Sequence, residues 1–154
     1  VRQGLLTVEL PGRFQIVPGR PAVILDVAHN PHAAAVLAEN LDNMGYYPAT
    51  HAVFGMLRDK DIDGVIARLG ARIDHWHVAP TPGPRGCDAA GIAALVRSIA
   101  GSTSSVSEHP DLVSAYVAAR DRAGADDRIL AFGSFLTVAE VMRAIRARPA
   151  AAIA

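Results

Sequence analysis

The sequence predicts an α/β domain with a Rossmann-like, mostly parallel sheet covered by helices on both faces. Two observations carry that prediction. After an initial short strand, apolar runs of strand length alternate with longer alanine- and leucine-rich segments of helical period, about five times in all. Most of the apolar runs also end in a polar turn that opens the next helical segment, as Ala28, His29 and Asn30 do before Pro31. Strands joined through helices run parallel and bury both faces of their sheet.

The elements follow in order. Leu5 to Leu10 is a linker or edge strand, so residues 1–12 are read as preceding the domain, 13–148 as the domain and 149–154 as a frayed tail. Pro11 and Gly12 make a turn, and Phe14 to Val17 is a short strand closed by Pro18 and Gly19. Val23 to Val27 is a core strand. A helix from Pro31 to Met44 follows, with Asn30 as its cap, proline where no N–H is needed, and Gly45 as its stop. His51 to Leu57 is the next strand, and a helix runs from Ile62 to Leu69 behind Asp59 and Asp61. Ile73 to Ala79 is a strand with His75 and His77 on one face, expected at the surface, and Trp76 and Val78 on the other. Pro80 to Gly86 is a loop, since three prolines and two glycines in seven residues forbid a regular element. Asp88 caps a helix to Ile99, Ser104 to Ser107 is a weak strand, and a helix runs from Pro110 to about Ala123. Arg128 to Phe132 is the last strand, and a glycine-serine turn leads into a helix from Leu136 to Arg148.

Composition excludes several function classes. The 154 residues carry 15 basic and 15 acidic side chains, with no basic stripe interleaved with aromatics, so no nucleic-acid partner is expected. A lone cysteine, Cys87, cannot staple the fold and fits a reducing compartment. No apolar run reaches the length of a membrane span, so a cytoplasmic protein without a membrane partner is expected.

Four polar turns follow predicted strands: 28–30, 58–61, 80–86 and 133–134. In a doubly wound sheet such turns share one edge and line one crevice. Asp26 is an acid inside an apolar strand and needs a partner. Its turn brings together an acid, the His29 imidazole and a helix N-terminus. Arg13 is either a solvated cation or a planar donor fork near that strand's end. Lys60 either offers its charge to an anion or is solvated between its acids, and Arg85 either steers an anionic ligand or is simply exposed. Ser134 lacks a GxSxG context, which makes it an anion-holding hydroxyl rather than a nucleophile. His29, His32, His75, His77, Cys87 and Asp26 follow no metal-ligand spacing, so no metal site is expected in this chain. Neither GxGxxG nor GxxxxGK[ST] occurs, so any triphosphate must be cradled elsewhere.

LPGRF, LDVAHNP, FGMLRDKD, PTPGPRG and FGSFLTVAEVM, in that order, resemble the carboxy-terminal domain of the folylpolyglutamate synthase/dihydrofolate synthase family, within the Mur ligase superfamily. The likeness runs from about Pro11 to Ile145. It implies a Mur ligase C-terminal type of fold. It also implies one part of an enzyme that uses ATP and Mg2+ to join L-glutamate to dihydropteroate or a reduced folate through an acyl phosphate. The family's phosphate loop and metal ligands sit on an amino-terminal ATPase domain, the partner this chain would close upon; the chain alone is expected to be inactive. By the same resemblance Arg13 is a nucleotide contact, Asp26 contacts the ATP ribose region or holds neighbouring donors, and His29, with Asn30, approaches the phosphates or the incoming glutamate; His29 and Asp26 are the catalytic pair, and Lys60 and Ser134 bind the glutamate carboxylates. Asp26 and His29 are expected to stay unpaired or loosely paired until nucleotide arrives. Phe135 stands where many relatives carry tyrosine. The alternatives are a non-catalytic Rossmann-like nucleotide-binding module, a structural or dimerising domain, and the C-terminal domain of a cell-wall Mur ligase.

Overall fold

The computed structural model describes residues 13–101 and 103–147. The expected linker at 1–12, the tail at 149–154 and Arg148 lie outside the described residues.

The described strands are β1 (Gln15–Val17), β2 (Ala22–Asp26), β3 (Thr50–Phe54), β4 (His75–Val78), β5 (Ser105–Glu108) and β6 (Arg128–Phe132). The helices are α1 (Pro31–Asp42), α2 (Ile62–Leu69), α3 (Ala89–Ile99), α4 (Leu112–Arg122) and α5 (Phe135–Arg146). The strands form one six-stranded sheet in the order β1-β2-β6-β3-β4-β5. β1 pairs antiparallel with β2, and all other pairs are parallel.

Alternation along the strands splits the core in two. Ile24, Phe54, Trp76, Leu130 and Phe132 pack with α1, α2 and α3 on one face. Val23, Leu25, Val53, Ile129 and Ala131 pack with α4 and α5 on the other. Both faces are covered, as the sequence predicts, because β3 and β6 are buried along their whole length.

Side-chain caps fix where the helices begin. Asn30, Asp61, Asp88, Asp111 and Ser134 each accept from the backbone N–H three residues on. Two helix starts therefore differ from the sequence reading. α4 begins at Leu112 rather than Pro110, because Asp111 is its cap, and α5 begins at Phe135 because Ser134 is.

His77 also differs from expectation, whereas His75 is half-buried. His77 is only 3% exposed, as β5 and α4 close over that face. Register sets His51 beside His75 and His75 beside Ser105, with Val53, His77 and Ser107 as the next row. The result is a polar strip, buried at His51 and His77 and half-buried elsewhere. His51 Nε2 meets Asp127 at 3.0 Å, His75 Nδ1 meets Ser105 Oγ at 2.8 Å, and His77 Nδ1 meets Ser107 Oγ at 3.2 Å. His109 closes the strip, its Nε2 lying 3.0 Å from Ser107 Oγ.

Candidate active site

Register places the site. Asp26, Phe132, Phe54 and Val78 are successive partners across β2, β6, β3 and β4, so these strands end level with one another. The turns that follow them stand side by side on one edge of the sheet, in the order His29, Ser134, Lys60, Arg85. Polar groups far apart in sequence are thereby brought to the carboxyl edge, where open α/β sheets bind ligands.

Two clefts lie along this edge. The first, of about 390 Å3, is lined by Arg13, Asp26, His29 and Asn30, with His32 and Val36 of α1. The second, of about 230 Å3, is lined by His29, Lys60, Arg85, Ser134, Phe135 and Leu136. His29 belongs to both. The sequence-derived residues thus fall in two adjoining clefts with a shared wall.

Asp26 is more firmly held than expected. Its carboxylate accepts from the Ala28 N–H at 2.8 Å and the Phe14 N–H at 3.0 Å, tying the turn before β1 to the end of β2. Burial pushes its pKa up, against these two bonds and the charge of Arg13. Phe14 holds a left-handed backbone (φ +39) and so places its N–H toward Asp26 at a steric cost. Neighbouring Arg13 is exposed at the cleft.

His29 is paired too. Its Nδ1 lies 3.0 Å from the Val27 carbonyl, so that nitrogen donates, and Nε2 remains as the acceptor of the neutral ring. Asn30 uses its carbonyl oxygen to cap α1 through the Ala33 N–H at 2.8 Å, which leaves its amide N–H groups for a ligand.

Ser134 is 6% exposed and lies in a hydroxyl relay. The buried Thr137 Oγ1 donates to the Gly55 carbonyl at 2.9 Å, which uses its one hydrogen. The 3.0 Å contact between the two hydroxyls then requires Ser134 to donate to Thr137. Ser134 Oγ also accepts from the Thr137 N–H at 3.0 Å. What remains on Ser134 is a lone pair. While this relay stands the Ser134 hydroxyl has no hydrogen left to donate to a carboxylate, the role that the resemblance implies for it.

The cations come from two turns clamped together. Leu57 bridges antiparallel to Gly86, the Arg58 N–H donates to the Arg85 carbonyl at 2.9 Å, and the Cys87 N–H donates to the Met56 carbonyl at 2.9 Å. Arg85 pairs with Asp59 at 2.8 Å, holding that carboxyl below its ordinary pKa. Lys60 is exposed, and its charge also helps to hold the Asp59 carboxyl down. Among those residues no group of three or more His, Cys, Asp or Glu side chains could hold a metal ion, and no helix is long and apolar enough to cross a membrane.

Residues 12–135 match the family model described as Mur ligase, glutamate ligase domain. The dihydrofolate synthase/folylpolyglutamate synthase of Escherichia coli strain K12 is 44% identical over 148 residues, spanning 96% of this chain and 33% of the relative. The solved structure of E. coli FolC in complex with ADP superposes with a TM-score of 0.83 at 42% identity, covering 92% of this chain and 33% of that one. A bifunctional folylpolyglutamate synthase/dihydrofolate synthase with Mn, AMPPNP and L-glutamate bound gives a TM-score of 0.79 at 42% identity, covering 94% and 34%. The chain spans about a third of the length of the relatives it matches. With the mostly parallel sheet and its two-cleft edge, these matches establish that the chain belongs to the Mur ligase family, as a glutamate ligase domain of the folylpolyglutamate synthase/dihydrofolate synthase type.

Proposed function

We propose that this domain supplies one wall of the active site of an ATP-dependent ligase that joins L-glutamate to dihydropteroate or a reduced folate. One observation carries the proposal: two polar clefts adjoin at the carboxyl edge of the sheet, with His29 lining both. The relatives solved with ADP and with L-glutamate support it.

In the first cleft Arg13 supplies a planar cation, Asp26 acceptors for a ribose hydroxyl, and Asn30 amide donors. The folate carboxylate attacks the γ-phosphorus of ATP, the bond to ADP breaks, and an acyl phosphate forms. The glutamate amine then attacks the acyl carbon and inorganic phosphate leaves. Nε2 of His29 takes the proton released by the amine. The phosphate loop and the Mg2+ ligands belong to an ATPase domain elsewhere in the longer, cytoplasmic protein. This wall contributes mainly positioning and charge.

The test is ADP release by the full-length protein that carries this domain, with ATP, dihydropteroate and L-glutamate omitted in turn. Release that needs all three supports the proposal, and the 154-residue chain alone is expected to release none. Turnover by the isolated chain, or release that needs a cell-wall precursor in place of the pterin, sinks it.

A further inference from the structure

The order of groups along the sheet edge carries an inference that rests on the reading above and deepens it. His29 follows β2, Ser134 follows β6, Lys60 follows β3 and Arg85 lies in the loop after β4, on neighbouring strands in that order. Adjacent strands stand about 4.8 Å apart, so the turns that carry these groups follow one another along the edge. The first two keep an acceptor after their internal bonds are made, His29 at Nε2 and Ser134 at Oγ. The last two are cations. The second cleft is therefore polarised along its length, with acceptors at one end and positive charge at the other.

An amino acid with an acidic side chain has the matching polarity. Its amine suits the acceptor end, its α-carboxylate, one bond from the amine-bearing carbon, suits the middle, and its side-chain carboxylate reaches furthest. We infer that Arg85 is the residue that reads the side-chain carboxylate of the incoming amino acid, with Lys60 nearer the α-carboxylate and Asp59 holding the Arg85 guanidinium in place.

The geometry around Arg85 fits that task. Its backbone is clamped by the Leu57–Gly86 bridge and by the Arg58 N–H, so the loop is fixed although prolines and glycine exclude a regular element. Only one terminal nitrogen of the guanidinium is engaged by Asp59 among the described residues. The rest of the donor fork can meet a second carboxylate. Phe135 and Leu136 are 66% and 40% exposed and line the same cleft, giving the aliphatic part of the ligand an apolar surface.

The experiment uses the full-length protein that carries this domain, in its wild-type, Arg85→Ala, Arg85→Lys and Asp59→Asn forms, with KM determined separately for L-glutamate, ATP and dihydropteroate. Arg85→Ala is expected to raise KM for glutamate by about tenfold or more, the scale of a charge-assisted pair, with the other two KM values unchanged. It should also abolish the preference for glutamate over its neutral isostere glutamine. Arg85→Lys restores part of the glutamate KM, because a point charge replaces a fork. Asp59→Asn gives a smaller rise in the same constant alone. The Arg85–Asp59 pair is exposed, so melting temperatures should be unchanged and a KM effect cannot come from unfolding. A glutamate KM within about twofold of wild type, or a retained preference over glutamine, overturns the inference. Absence of glutamate-dependent turnover in the wild type instead overturns the functional reading on which it rests.

Discussion

Gly133 and Gly55 meet backbone to backbone: a Cβ atom on Gly133 would lie 2.2 Å from the Gly55 carbonyl oxygen. That oxygen is the acceptor for Thr137 Oγ1, so the contact lies directly under Ser134 and the second cleft. Gly133 also has φ +120, a backbone that residues with a side chain rarely adopt. Gly133→Ala is expected to lower stability by about 3 kcal/mol, from backbone strain and the clash together. Gly45→Ala is the control, with φ +92 but nothing within 4 Å, and should lose only about 1 kcal/mol. Urea denaturation of both variants decides, and equal losses would mean that the Gly55 contact relaxes freely.

Removing the Asp26 carboxylate orphans two N–H groups at once. Asp26→Ala is expected to cost about 2–3 kcal/mol, since the Phe14 and Ala28 amides lose their acceptor. Asp26→Asn keeps one oxygen and should cost less. The pKa of Asp26 is raised by burial, so its titration adds stability at acid pH that is lost as pH rises through the folded value. The penalty for Asp26→Asn should therefore be smaller at neutral pH than at low pH. Amide exchange at Phe14 offers a local readout and should quicken in both variants.

Ser134 and Thr137 act as one unit. Ser134→Ala removes the cap of α5 and the donor to Thr137, for an expected loss of about 1–2 kcal/mol, or roughly 3–6 °C in Tm. Thr137→Val orphans the Gly55 carbonyl at a similar cost. The double variant should lose less than the sum, because both changes break the same relay. Strict additivity in a double-mutant cycle would show that the two hydroxyls are independent.

Acid should weaken the domain through its histidine strip. Burial first, and then the neighbouring His109, His51, Arg122 and His75, hold the His77 pKa down to about 4. His75 and His109 are shifted the same way, chiefly by burial. In the unfolded chain a histidine titrates near ~6.5. Above that pH neither state is protonated, and His77 contributes nothing to pH dependence. As pH falls from about 6.5 toward 4 the unfolded chain binds a proton that the folded one refuses, and stability declines. The loss assigned to His77 is on the order of 3 kcal/mol at the acid end. Urea titrations at pH 7.5 and 4.5 should give a smaller pH-dependent drop for His77→Gln than for wild type; equal drops would clear His77 of that role.

Local patterning made much of this molecule readable. The strand at Val23–Val27, the helix after Asn30-Pro31, and the loop of prolines and glycines at 80–86 all follow from the backbone preferences of their own residues. What local pattern left out depends on partners distant in the chain. Asp26 looked loosely held because one of its donors is the N–H of Phe14, twelve residues away across the β1–β2 turn. His77 looked like a surface residue because burial depends on the closure of α4 over β4. The polarity of Ser134 required the Gly55 carbonyl, which β3 delivers from across the sheet. Arg85 was visible as a cation, but only the strand order sets it in line with His29, Ser134 and Lys60.

The position of β6 bears on synthesis. Last of the described strands in sequence, it lies between β2 and β3, which do not pair with each other. A ribosome that has released β2 and β3 has made two half-sheets, each with a raw edge. Both wait until Arg128–Phe132 leaves the exit tunnel and fills the gap. For that interval the nascent chain presents unpaired strand edges to chaperones and to other nascent chains. A message cut short before the codon for Arg128 would yield a product with that gap permanently open, fit for proteolysis rather than for partial function.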